Sequence, residues 1–378
     1  MRIVVAPQEF KGSLTAAQAA RAIAAGVRAA LPDAEIVEAP MSDGGPGLVD
    51  AMLAARGGER IETDAHDPLM RPLRASWAIL DGPGATPGER AAAIEMAAAS
   101  GLVLLRPDER DPLVATTYGT GDLIRAALDR GCARIIVGVG GSATVDGGAG
   151  AMQALGAGLL DASGRDLPPG GAALARLDRI DVAGRDPRLA LASIRVASDV
   201  TNPLCGPTGA AIVFGPQKGA SPGDVLALDA ALHHFAEIAR RDCGVDLLAL
   251  SGGGAAGGLA AGLVAFAGAT IEPGFAIVAD AVGLEAKIAA ADVVITGEGR
   301  LDAQTAYGKT ANGVATLAHK HGKRVAIIAG SVDPGYDPRI GAFDVVESAL
   351  QPGMSVEDSM HLGAALVRAA AERVVRRL

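Results

Sequence analysis

Aromatic side chains are nearly missing from this chain: 378 residues hold one Trp, three Tyr and six Phe, 3% in all. Yet 49% of the residues are hydrophobic, so the apolar volume has to come from Ala, Val, Leu and Ile, and a ring-dominated core is excluded. Cysteine is equally sparse. Cys132, Cys205 and Cys243 lie far apart with no CxxC or Cys/His spacing, which excludes a zinc site or a disulfide framework and fits a reducing compartment. Positive charge is not concentrated anywhere: the formal net charge is -9 and no Lys/Arg block occurs, so nucleic acid is not an expected partner. No secretory signal pattern opens the sequence, and a cytoplasmic protein is expected. Leu247–Ile271 carries no charged residue, but its core, "SGGGAAGGLAAGL", is too rich in Gly for an inserted helix; it reads as a buried Gly-rich loop leading into a packed helix, with no membrane partner.

What is abundant is glycine, 51 residues of it, in a chain long enough for two domains. The glycines collect where apolar runs stop. Ile3–Val5 reads as a strand that empties into "APQEFKGSL", residues 14–31 as a helix starting near Thr15 and stopping at Pro32, and "EIVEAP" as a second strand spilling into "MSDGGPG". Strand, helix, strand, Gly-rich turn and helix is a βαβ pattern, and it predicts a parallel sheet with its functional loops at the strand C-termini. The last third repeats it: "ADVVITGEGRLD", "KRVAIIAGSVD" and "FDVVESAL" read as strands, 310–321 as a helix between the first two, and 355–378 as a terminal helix. Between these ends the alternation is less regular. The expected class is α/β in two domains: a Rossmann-like parallel-sheet domain from residues 1–61 and 291–378, split by a larger inserted α/β domain at 62–290, with the active site in the cleft between them.

Three further loops carry chemistry. In "RIIVGVGGSATVDGGAGAMQAL" a strand ends in Gly140, Gly141 and Ser142, with Asp146 ahead of a helix; glycines let backbone N–H groups close on an anion, though such a turn also serves tight helix–strand packing. In "SDVTNPLCGPTGAAIVFGPQKGAS" Asp199, Thr201 and Asn202 form a hard-oxygen set suited to magnesium or to a hydroxyl, or an Asx-turn before Pro203, while Lys218 sits in a separate turn. In "TGEGRLDAQTAYGKTANGVA" Glu298, Arg300 and Asp302 alternate past a strand end and Lys309 opens a helix: cations for a transferring phosphoryl group, carboxylates for a metal or a proton, or a surface ion-pair cluster.

Eight motifs in order, "APxxFKGSL", "DGGxG", "IEMAAASGL", "TTYGTGDLI", "GGSATxDGGAGAMQALGA", "SDVTNPLxGPxGA", "FGPQKGA" and "TGEGRLDxQT", resemble the glycerate kinases of the bacterial type that forms 2-phosphoglycerate. The resemblance implies a kinase using ATP and Mg2+ on the 2-hydroxyl of D-glycerate, with a flavodoxin-like domain made from both chain ends. On the matching positions, Lys11, Asp43, Asp146 and Arg300 are the catalytic candidates, and Ser13, Gly44, Gly45, Gly140, Gly141, Ser142, Lys218 and Lys309 the substrate- and phosphate-binding ones. Asp199 with Glu298 or Asp302 would organise the metal. Lys11, Arg300 and Lys309 would neutralise charge, and Asp43 and Asp146 would orient or deprotonate the hydroxyl.

The chain departs from the pattern at four candidate pocket positions, with smaller differences at Ala303 and in "TAN" at 310–312. Gln8-Glu9 stands where the family usually has Asp-Ser, Pro46 where it has Glu and Val145 where it has Asn. If these line the acceptor pocket, polar partners for hydroxyls have been lost and the usual substrate is penalised. Besides the glycerate kinase, the residues therefore admit a same-family kinase for another small 2-hydroxy acid, or a non-catalytic ligand-binding homologue. The oligomeric state is not legible.

Overall fold

The computed structural model describes residues 1–80, 90–302, 310–337, 343–351 and 353–378. The chain forms two compact units: Met1–Asp43 with Asp50–Arg56 and Phe275–Leu378, and Gly44–Val49 with Gly57–Gly274. Among the described residues the strands in chain order are β1 (Arg2–Val5), β2 (Glu35–Glu38), β3 (Glu59–His66), β4 (Pro72–Ile79), β5 (Arg90–Glu95), β6 (Cys132–Gly138), β7 (Gly158–Leu160), β8 (Arg179–Asp181), β9 (Ser193–Ala197), β10 (Thr270–Glu272), β11 (Val293–Leu301), β12 (Arg324–Val332) and β13 (Val345–Ser348).

The first unit is a five-stranded parallel sheet in the order β13-β12-β11-β1-β2. Its central strands are the apolar runs of the sequence: Ile3, Val4 and Val5 pair with Val293, Val294 and Ile295, and all but Val293 are fully buried. Helix Ala16–Ala30 begins at Thr15, whose hydroxyl accepts the Gln18 N–H while the Gln18 side chain accepts the Thr15 N–H. This helix lies against helix Gly363–Val375 closely enough that a Cβ on Gly26 would stand 2.2 Å from the Arg368 carbonyl oxygen. Small residues on both helices make up in contact what they lack in volume. From β1 the chain proceeds outward to β2, whereas from β11 it proceeds the other way to β12 and β13, so the order reverses between β1 and β11. In open parallel sheets that reversal opens a crevice at the strand C-termini.

The second unit holds a six-stranded sheet, β10-β9-β6-β5-β4-β3, and a β7–β8 hairpin. β10, β9, β6 and β5 are parallel, whereas β4 and β3 run antiparallel at the edge. That edge hairpin went unread in the sequence because it turns at Asp67, whose carboxylate accepts the Leu69 and Arg71 N–H groups, rather than at an Asn-Gly or Asp-Gly pair. This unit's core includes Trp77, fully buried, and Phe235 stacked on Phe266.

The stretch 247–271 is a Gly-rich loop leading into helix Leu259–Ala267, as expected, and no helix of the described residues is long and apolar enough to cross a membrane. The terminal stretch differs from the single helix expected: it divides into Val356–His361 and Gly363–Val375. At the break the Ser13 hydroxyl donates to the Met360 carbonyl at 2.9 Å, and its oxygen lies where a Cβ on Gly363 would be 2.2 Å away.

Candidate active site

At the β1/β11 reversal the loop after β1 is fastened to β11 beyond the strand pairing. The Ala6 N–H donates to the Ile295 carbonyl at 2.8 Å, the Gln8 N–H to the Gly297 carbonyl at 2.9 Å, and the Thr296 hydroxyl to the Ala6 carbonyl at 2.8 Å. Phe10, 4% exposed, lies over the glycines of β11 and β12: a Cβ on Gly297 or Gly330 would come within 3.1 or 3.3 Å of its ring. The alternating glycines of "TGEGR" thus make room for an aromatic anchor. Gln8 then reaches Glu298, its Nε2 donating to Oε2 at 3.1 Å, with Glu298 only 2% exposed. Gln8, one of the departures from the family pattern, thus touches a candidate acid.

The other predicted residues of this unit divide by exposure. Lys11 and Asp43 are exposed and Asp302 and Glu9 half-buried. Arg300 is exposed and ion-paired with Asp333 at 2.6 Å. Asp333 is held below the usual carboxylate range by the Gly335 N–H and then by Arg300, while Asp333 raises the guanidinium. Ser13 is spent on the Met360 carbonyl and so ties the loop to the C-terminal helices. Lys309 lies outside the described residues.

In the second unit three loops meet at the C-terminal ends of β5, β6 and β9. The Gly140 N–H points at the Gly44 carbonyl at 3.4 Å, and glycine is required at both crossings: a Cβ on Gly44, which has φ +89°, would stand 2.4 Å from the Ala197 oxygen, and one on Gly140 2.5 Å from the Gly45 Cα. Glu95, at the end of β5, accepts the Gly47 and Val49 N–H groups at 3.0 and 2.9 Å and so fixes the loop ahead of helix Leu48–Arg56. Pro46 is exposed beside Gly141.

Loop 140–148 turns its polar groups inward. Asp146 is fully buried and accepts five hydrogen bonds, from the Thr116 hydroxyl, the Thr117 N–H and hydroxyl, and the Gly148 and Gly150 N–H groups, at 2.8 to 3.3 Å. Burial pushes its carboxyl up from the ordinary value, against the pull of those donors. Such an arrangement organises a loop around the carboxylate, four of the five bonds falling on Oδ2 and one on Oδ1. Lys218, 2% exposed, donates Nζ–H to the Ser142 hydroxyl and to the Thr144 carbonyl, each at 2.7 Å. Burial lowers its ammonium to about 7, with Asp146 opposing. Val145 is fully buried in the apolar core of this unit, so its replacement is a matter of packing and not of a pocket lining. Asp199 is exposed and accepts the Gly274 N–H at 2.8 Å, and Asn202 closes its loop by donating to the Thr208 carbonyl at 2.8 Å.

The expected metal set draws Asp199 from one unit and Glu298 and Asp302 from the other. Among the described residues no group of three or more His, Cys, Asp and Glu side chains is arranged to hold a metal ion. Sequence reasoning missed Phe10, Glu95, Ser100, Thr117 and Asp333. Two of its motifs, 94–102 and 116–124, had no assigned task; they supply Glu95, the Ser100 carbonyl that accepts the Ala143 N–H at 3.0 Å, and the threonines around Asp146.

The model of the family described as "Glycerate kinase family" matches residues 3–378. The chain is 50% identical over 332 residues to glycerate 2-kinase of Escherichia coli K12, an alignment that covers 88% of this chain and 86% of that one. It is 44% identical to a glycerate kinase of Halalkalibacterium halodurans over 98% of this chain and 97% of that one. A crystal structure described as glycerate kinase 2 from Salmonella typhimurium LT2 matches with a TM-score of 0.87 at 47% identity, over 100% of this chain and 98% of that one. The polar Gly-rich loops at the strand ends are thus those of a known enzyme group, and the chain belongs to the glycerate kinase family.

Proposed function

We propose that the protein transfers the terminal phosphoryl group of ATP to the 2-hydroxyl of D-glycerate, giving 2-phospho-D-glycerate and ADP. The observation that carries this reading is the family match over residues 3–378. The loop chemistry agrees with it: phosphoryl transfer asks a protein mainly for charge neutralisation at the phosphate and a place for the hydroxyl proton.

Lys11 and Arg300, the exposed cations at the β1/β11 end, take the first task, Arg300 exchanging Asp333 for a phosphate oxygen; Lys309 is a third candidate. Asp43, exposed at the edge of its glycine turn, takes the second. Gly44, Gly45, Gly140 and Gly141 offer backbone N–H groups to an anion, and Lys218 backs Ser142. Asp146 is assigned the organising of loop 140–148 in place of the base role. Asp199, Glu298 or Asp302 would anchor a magnesium ion bound to the nucleotide phosphates, where it would supply counter-charge.

Gln8 supports a second reading, a same-family kinase with another small 2-hydroxy acid as acceptor, because it sets a neutral amide on Glu298 where the family pattern has an acid. Val145 no longer argues for it. Purified protein with ATP, Mg2+ and a panel of small hydroxy acids, read by ADP release, decides: fast turnover with D-glycerate is expected. Turnover confined to another acid would replace the first reading with the second, and silence with every acid beside measurable ligand binding would leave a non-catalytic homologue.

A further inference from the structure

Lys218 is a lysine with its whole length buried, and its partners are unusual. Two of its three N–H bonds are accounted for at 2.7 Å, one by the Thr144 carbonyl and one by the Ser142 hydroxyl. The charged group facing it from that loop is Asp146; the segment packed on the next residue, Gly219, brings Arg110, whose carbonyl oxygen lies where a Cβ on Gly219 would be 2.2 Å away. Simple loop bracing would be served by any buried donor, without the desolvation cost of an ammonium. What a cation adds is direction. A hydroxyl that accepts from an N⁺–H keeps its own hydrogen to give elsewhere, and Ser142 follows Gly140 and Gly141 in the anion-binding turn.

We propose that Lys218 is a positioning residue that acts through Ser142: by donating Nζ–H to the Ser142 oxygen it turns that hydroxyl's hydrogen outward, making Ser142 a donor to an anionic oxygen of the substrate. Loss of a proton from Lys218 reverses the pair, because the amine lone pair then accepts the Ser142 hydrogen and the oxygen presents lone pairs to the anion. The lowered ammonium value, about 7, puts this reversal in the working range. The proposal rests on the reading that Gly140–Ser142 contacts substrate. The anion is a carboxylate or a phosphate, that is, the glycerate or the nucleotide.

Steady-state kinetics of the full-length protein between pH 6 and 8.5, with the KM of D-glycerate and of MgATP measured separately, tests it. In the wild type one of the two KM values is expected to rise about tenfold across that range, the scale of one charge-assisted hydrogen bond; the substrate whose KM moves identifies the anion. Ser142→Ala should show the raised KM already at pH 6 and stay flat within about twofold, kcat changing less than KM. The Ser142→Ala/Lys218→Met double variant should be no worse than Lys218→Met alone. A Ser142→Ala enzyme with neither KM altered would remove Ser142 from the substrate and the underlying reading with it. A raised KM that keeps the wild-type pH slope would overturn the role of Lys218 alone, and this arm stands even if Lys218→Met fails to fold, because Ser142→Ala retains the lysine.

Discussion

Two Gly-rich loops follow buried strands in this molecule and put similar residue types to opposite uses. After β6, loop 140–148 folds its acid and its lysine partner inward: Asp146 is fully buried under five donors and Lys218 is 2% exposed. At the β1/β11 end, Lys11 and Arg300 stay exposed, and the acid at the strand end, Glu298, is met by the amide of Gln8. The difference lies in the cations and in how each acid is met: Lys11 and Arg300 stay in water while Lys218 does not, and buried Glu298 accepts a bond from one amide where buried Asp146 accepts five bonds. Burial decides: a charge removed from water has to be met by donors, and once met it is poorly placed to react.

The largest effect that would break this contrast is at Asp146. Asp146→Ala strands several buried N–H and O–H donors and should lower stability by about 3 kcal/mol or more, read as a shift in the urea unfolding midpoint. A variant that unfolds like the wild type but has lost kcat would make Asp146 a reagent after all. Arg300→Ala belongs to the opposite class: kcat should fall about 100-fold while the melting temperature barely moves, the signature of a group that neutralises transferring phosphate. If the melting temperature drops and kcat holds, the Arg300–Asp333 pair is a surface brace.

Gly44→Ala sharpens the contrast from the backbone side. It forces an L-residue into φ +89° with its Cβ 2.4 Å from a carbonyl oxygen, and should cost about 2 kcal/mol in thermal unfolding; a cost near zero would mean that the three loops shift apart freely. The smallest effect is expected at Gln8. Gln8→Ala removes one hydrogen bond to Glu298 and should change kcat/KM for D-glycerate by about three- to tenfold. No change with D-glycerate, together with a gain on another hydroxy acid, would mark Gln8 as a specificity residue.

Much of the parallel architecture was legible because period and punctuation coincide: Ile3–Val5 and Val293–Ile295 are apolar runs that stop at polar turns, and Thr15 and Gln18 cap a helix with the expected spacing. The edge hairpin β3–β4 was not, since its turn depends on an Asp side chain and a left-handed Met70, φ 63°, which no dipeptide rule flags. The two helices at the C-terminus read as one for a related reason. The contact made at the break joins the Met360 carbonyl to Ser13, 347 residues away.

The site was legible as residue types and not as tasks. Lys11, Arg300, Ser142 and Lys218 were named from chemistry and spacing, but exposure separates them, and exposure depends on what packs above each loop. By itself the sequence determined the α/β class, the family, the strand-end loops and the kinds of group they carry, because hydrophobic period, glycine punctuation and eight ordered motifs are local properties. Only the tertiary structure decided that Asp146 is buried under five donors, that Val145 packs in a core, that Gln8 binds Glu298 and that Lys218 donates to Ser142. Each of those depends on a partner distant in sequence, and on the desolvation that makes a partner obligatory.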